Sequence, residues 1–188
     1  RIPLPLGRRI PFWMGVFLLI WLCSFLGRPA PAGAFTEASR YELGLRYGYG
    51  QTCKARETLH FNSFLPRWGV FLTQSNNPVL GNLRLSLVLE GIVGSIHDGN
   101  SGWDIGFTPL LKISYPWGRL LGYIEGGAGM IWENIDSPTY AHAFNFSPQV
   151  GAGVDIKLVQ IYARTLAYRF RHTSNAGLYA ENPGVNTN

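Results

Sequence analysis

From Arg40 onward, polar and apolar residues alternate with period two, which puts successive side chains on opposite faces of a strand. In residues 40–49 the odd positions are Tyr41, Leu43, Leu45, Tyr47 and Tyr49, set against Arg40, Glu42, Gly44, Arg46 and Gly48. In residues 82–90 the odd positions Leu83, Leu85, Leu87 and Leu89 oppose Asn82, Arg84, Ser86, Val88 and Glu90. The same rhythm runs through 102–115, 120–132 and 145–157. Residues 57–71, bent near Pro66, and 160–172 complete seven predicted strands. Turn chemistry falls between them at Asn76-Asn77-Pro78, Asp98-Gly99-Asn100, Pro116-Trp117-Gly118 and Asp136-Ser137-Pro138.

Alternation alone also fits a soluble sandwich or a secreted soluble barrel. The content of the two faces separates the readings. One face is large and aromatic; the other is Gly-rich with charges of both signs. Small and charged residues suit the lumen of a narrow barrel, where opposite charges pair in little volume. The large apolar face then meets lipid. Tyr47, Tyr49, Trp103, Tyr115 and Trp132 fall near strand ends, as interfacial girdles do. Strands of about ten residues match a tilted crossing, and closure leaves no unpaired edge in hydrocarbon. The expectation is therefore an all-β, antiparallel, eight-stranded transmembrane β-barrel. Such barrels have even strand numbers, so the eighth strand is expected beyond Asn188. Gly122, Gly126-Gly127 and Gly129 match no phosphate loop and are read as relieving crowding inside the barrel.

The first residues differ from the rest. Arg1, Arg8 and Arg9 precede an apolar run over residues 10–26, and Ala32-Gly33-Ala34 follows. A basic head, an apolar stretch and a small-residue site read as a secretory signal peptide over 1–34, leaving 35–188 as the barrel domain. The competing reading is an anchor helix, since the run approaches spanning length. The first residue is Arg, so an upstream start is expected. Four of the sixteen basic residues lie ahead of Ala34 and none of the eleven acids does. The exported part is then nearly neutral, and nothing argues for nucleic acid. Cys23 would leave with the signal, so Cys53 has no internal disulfide partner. His60, His97 and His142 show no metal-ligand spacing on one face.

Residues 168–178 read Tyr-Arg-Phe-Arg-His-Thr-Ser-Asn-Ala-Gly-Leu. Period two puts Leu166, Tyr168, Phe170, His172 and Ser174 on the lipid side, with Arg169 and Arg171 opposite. An imidazole two residues from a hydroxyl on one strand face can take its proton and activate it. The plainer reading is a strand-end His and Ser in the headgroup layer, because the spacing alone is a weak signal.

The stretch from His172 to Leu178, followed by Asn182-Pro183-Gly184-Val185-Asn186, resembles the lipid A 3-O-deacylase (PagL-type, acyloxyacyl hydrolase) family. Leu65-Pro66-Arg67-Trp68-Gly69 and residues 147–153 resemble that family's strands too. The resemblance spans about Arg40 to the end. It implies an outer-membrane hydrolase that acts on lipid A, the lipid of lipopolysaccharide, at its 3-position ester, with no metal or organic cofactor. It implies Ser174 as nucleophile and His172 as general base. Asn175 and the Gly177 backbone N–H would hold the oxyanion, and Asn182 matches a family Asn. The family's third catalytic member is a Glu twelve residues after the Ser. Here that position is Asn186. An amide can orient a His but cannot stabilise imidazolium as a carboxylate does. Glu181 is the nearest acid and an alternative third member. The departure keeps a second reading open, a non-catalytic barrel with a structural or lipid-binding role. A homodimer is likewise left open.

Overall fold

The computed structural model describes residues 40–53, 58–73, 81–97, 101–135, 142–159, 162–179 and 184–188. The expected signal peptide over 1–34, three of the four expected turns, Glu181 and Asn182 lie outside the described residues. Eight strands form a closed barrel in sequence order. They are β1 (Tyr41–Cys53), β2 (His60–Phe71), β3 (Arg84–His97), β4 (Gly102–Trp117), β5 (Leu120–Asn134), β6 (Phe144–Val159), β7 (Tyr162–Thr173) and β8 (Val185–Thr187). Each pairs antiparallel with the next, and β8 pairs with β1 to close the ring.

Three details differ from the sequence expectation. The eighth strand, expected beyond Asn188, is represented within the chain: Thr187 sits opposite both Arg171 of β7 and Thr52 of β1. Three residues are too few to show a period, so alternation could not reveal them. The turn expected at residues 116–118 is Gly118-Arg119, because Pro116 and Trp117 still pair with β5 and Gly118 takes the left-handed φ of 59°. The glycines of β5 also divide. A methyl group on Gly127 or Gly129 would meet β4 at 2.0 and 2.1 Å, so those two do relieve crowding. Gly122 has nothing within 4 Å and Gly126 lies next to outward-facing Val150, so neither relieves crowding in the lumen.

The faces are as the period requires. Tyr41, Leu43, Leu45, Trp68, Leu87, Leu89, Leu111, Ile124 and Leu166 are exposed on the outer wall. Water would not tolerate so continuous an apolar belt; hydrocarbon does. Aromatic side chains ring both ends: Tyr49, Trp103 and Trp132 at one, Tyr41, Tyr115, Trp117 and Tyr162 at the other.

Charges fill the lumen. Arg67 donates to Glu125 at 2.6 Å and to Glu90, while Arg46 reaches Glu125 at 3.0 Å. Arg169 contacts both glutamates. A second group places Lys112 between Glu42 (3.1 Å) and Asp155 (3.2 Å), over the Tyr123 ring. A carboxylate and guanidinium with planar forks can satisfy each other where little water remains. The lumen cavity nearest the site measures about 100 Å³, well under the ~300 Å³ at which small-molecule pockets begin.

Candidate active site on the outer wall

The topology gives the two barrel ends different connections. Residues 118–119 form a tight turn at one end, where 72–83 and 160–161 also fall between strands. The opposite end carries 54–59, 98–101, 135–143 and 174–184. The described residues among those the sequence predicts for the site, His172, Ser174, Asn175, Gly177 and Asn186, collect at this second end, where β7 finishes and β8 begins.

The ladder fixes His172. Its partner across β7–β8 is Asn186, and Asn186 in turn sits opposite Cys53 of β1. Arg171 and Thr173, its neighbours in sequence, are buried in the lumen, so alternation turns His172 outward, where it is half-buried. His172 Nδ1 lies 2.8 Å from Asn186 Oδ1. An amide oxygen only accepts, so Nδ1–H donates and the Nε2 lone pair is left available.

Ser174 continues the β7 rhythm beyond the strand. It forms one further bridge with Phe146 of β6: Ser174 N–H donates to Phe146 O at 3.0 Å and Phe146 N–H donates to Ser174 O at 2.7 Å. This bridge holds Ser174 on the same face as His172, two residues on. Its neighbours there are aromatic: Phe146 contacts Phe144, which packs on Trp132 with centroids 4.6 Å apart.

Immediately after Ser174 the chain reverses. Leu178 N–H donates to Asn175 O at 3.1 Å, enclosing Ala176 (φ 53°) and Gly177 (φ 83°). Two consecutive left-handed residues make a tight turn; Gly177 adopts that conformation freely, whereas Ala176 pays a steric cost of about 1 kcal/mol. Asn175 is buried, and its Oδ1 accepts the Gly177 N–H at 2.9 Å. The two expected oxyanion donors are thus brought together within one turn, with the Gly177 N–H directed onto the Asn175 side chain. Tyr179 stacks on His142, centroids 4.0 Å apart, tying this connection to the one between β5 and β6.

One residue was missed by the sequence reading. Gly184 has φ 62°, and a methyl group there would lie 3.1 Å from His172 Cε1 and 3.6 Å from Nε2. Its bare backbone flanks the imidazole edge that carries the free nitrogen. The only signal was a glycine two residues before Asn186, which does not announce a ring contact.

The arrangement bonds the imidazole to Asn186 through Nδ1 and places Ser174 two residues along on the same outward face. Comparison with known proteins bears on the family and the fold. The sequence profile described as "Lipid A 3-O-deacylase (PagL)" matches residues 42–188. Among solved structures, the chain is similar to "Crystal structure of the outer membrane enzyme PagL", with 16% identity, a TM-score of 0.61, and coverage of 77% of this chain and 94% of that one. At that identity the likeness speaks for the fold. No curated protein matches the chain. With the profile spanning nearly every described residue, the chain belongs to the lipid A 3-O-deacylase (PagL) family.

Proposed function

We propose that this barrel is an outer-membrane esterase that removes the 3-position acyl chain of lipid A through Ser174 and His172. The observation that carries the reading is the His172 Nδ1 to Asn186 Oδ1 bond at 2.8 Å on the outward face, with Ser174 two residues along that face and bridged to Phe146. Its position supports a lipid substrate. The site's end bears most of the longer connections, as the extracellular end of such barrels does. A site at that end would face the outer leaflet, where lipid A resides.

In this reading His172 Nε2 takes the Ser174 proton as Oγ attacks the ester carbonyl carbon. The carbonyl becomes a tetrahedral oxyanion, held by Asn175 and the Gly177 N–H once the latter turns from Asn175 Oδ1. Collapse breaks the bond to the sugar oxygen, which leaves as an alcohol carrying the proton from Nε2. Water, activated by the same nitrogen, then releases the fatty acid and restores Ser174. With its oxygen toward the ring, Asn186 holds the proton on Nδ1. It lacks the charge that would stabilise imidazolium, so turnover is slow relative to a carboxylate-supported site. Among the described residues, no acid is hydrogen-bonded to His172.

The test is direct. Purified protein incubated with lipid A in detergent is expected to release one acyl chain, read as a mass loss by mass spectrometry. Ser174→Ala should stop the release while the protein keeps its folded, heat-shifted mobility on gels. Equal release by both proteins would remove Ser174 from the reaction. No release by the folded wild type would favour the second reading, a barrel that binds lipid without cleaving it.

A further inference from the structure

Directly behind the outward His172–Asn186 pair, on the lumen side of the same two strands, lies Arg171. It is the register partner of Thr187, as His172 is of Asn186. Arg171 Nε donates to Thr187 Oγ1 at 3.3 Å, its NH1 lies 3.6 Å from Asp104 Oδ2, and its guanidinium sits over the Phe61 ring at 5.4 Å. All four residues are buried. One side chain thus spans β7, β8, β4 and β2 at the level of the site. It stands apart from the mid-barrel network of Arg67, Glu90, Glu125 and Arg169, with which it shares no ion pair among the described residues.

This matters because of what Asn186 lacks. A carboxylate would be drawn to imidazolium by charge; an amide is held against His172 only by where β8 puts it. The placement of β8 against β7 is therefore part of the catalytic geometry. We propose that Arg171 is a positioning residue: by clamping Thr187 in the lumen, and being clamped itself by Asp104 and Phe61, it sets the β7–β8 register that keeps Asn186 on His172 Nδ1. The inference rests on the reading of His172 as the base, but its first consequence is structural and can be seen without turnover.

The experiment uses the whole barrel in detergent micelles with 15N-labelled histidine, the His172 ring signals being assigned by their loss in His172→Gln. Arg171→Ala should move them to the positions found in Asn186→Ala, and Arg171→Lys, which keeps a cation beside Asp104, should leave most of the wild-type signal. On lipid A, Arg171→Ala should lower kcat about tenfold with KM nearly unchanged, as a misplaced catalytic group does. In an Asn186→Ala background it should cost little more, because the two act as one unit. Should Arg171→Ala fail to fold, Thr187→Val removes the acceptor at nearly constant volume and should shift the ring signals in the same direction. Unmoved His172 signals in a folded Arg171→Ala or Thr187→Val protein would overturn the proposal. Fully additive losses in the double variant would do the same. Persistence of hydrolysis in Ser174→Ala would instead defeat the reading of the active site and leave the ring-signal result standing.

Discussion

Asn186 is the residue on which the proposed chemistry turns. It stands where the resemblance to the family implies a Glu, and it meets His172 through its oxygen at 2.8 Å. An amide can present oxygen or nitrogen to Nδ1 and so supports either tautomer, whereas a carboxylate accepts only. In Ser-His-Asp sites the change from carboxylate to amide costs about 10⁴ in kcat. Asn186→Glu restores the longer acidic side chain on the same outward face. It is expected to raise the initial rate of lipid A deacylation by at least about tenfold, a modest share of that factor. A rate assay with lipid A in micelles checks this; an unchanged or lower rate would mean that the position does not govern proton transfer. That Ser174 and His172 share a face was legible because a strand's period places i and i+2 together. The role of Asn175 was legible only in part: that its Oδ1 takes the Gly177 N–H depends on a turn with two left-handed residues, one of them Ala176.

Among the elements, the long strands announce themselves and β8 does not. β4 carries Trp103, Ile105, Phe107, Leu111, Ile113 and Tyr115 on the outer wall, with Asp104, Thr108, Lys112 and Ser114 buried in the lumen, as alternation predicts. β8 shows only Val185 and Thr187 inward with Asn186 outward, a run shorter than any periodic signal. Its entry depends on Gly184, whose φ of 62° and closeness to the imidazole are tertiary facts with no trace in the local pattern. Gly184→Ala should strain that entry by about 1 kcal/mol and push on His172 Cε1. The expected result is a folded barrel whose kcat falls about tenfold because the base has moved. Gel mobility and the rate assay together separate this outcome from unfolding; a wild-type rate would show that the ring has room to spare.

For the whole molecule, the sequence separates a lipid-facing wall from a charged lumen but does not say which charges meet. Glu125 lies on β5, whereas its partners Arg46, Arg67 and Arg169 come from β1, β2 and β7, up to 79 positions away. No local spacing encodes such a cluster; only closure of the ring creates it. The prediction at this scale is that Glu125→Leu leaves three guanidinium groups around a lost carboxylate, with Glu90 alone to answer Arg67 and Arg169. Removing one member of a buried ion pair typically costs about 3–5 kcal/mol, so the urea midpoint in lipid vesicles should fall clearly. Arg46→Met, at the more exposed edge of the network, should shift it much less. Equal shifts would imply that the charges are hydrated rather than interlocked. With the interior filled by interlocked charges, the proposed chemistry is assigned to the outer wall.

The most direct test of that assignment is covalent. A long-chain alkyl fluorophosphonate delivered from the bilayer should phosphonylate Ser174, identified by peptide mass spectrometry, and His172→Ala should abolish the labelling. A folded wild-type barrel that takes up no label, or one labelled at a different residue and equally well in Ser174→Ala, would contradict an activated serine facing lipid.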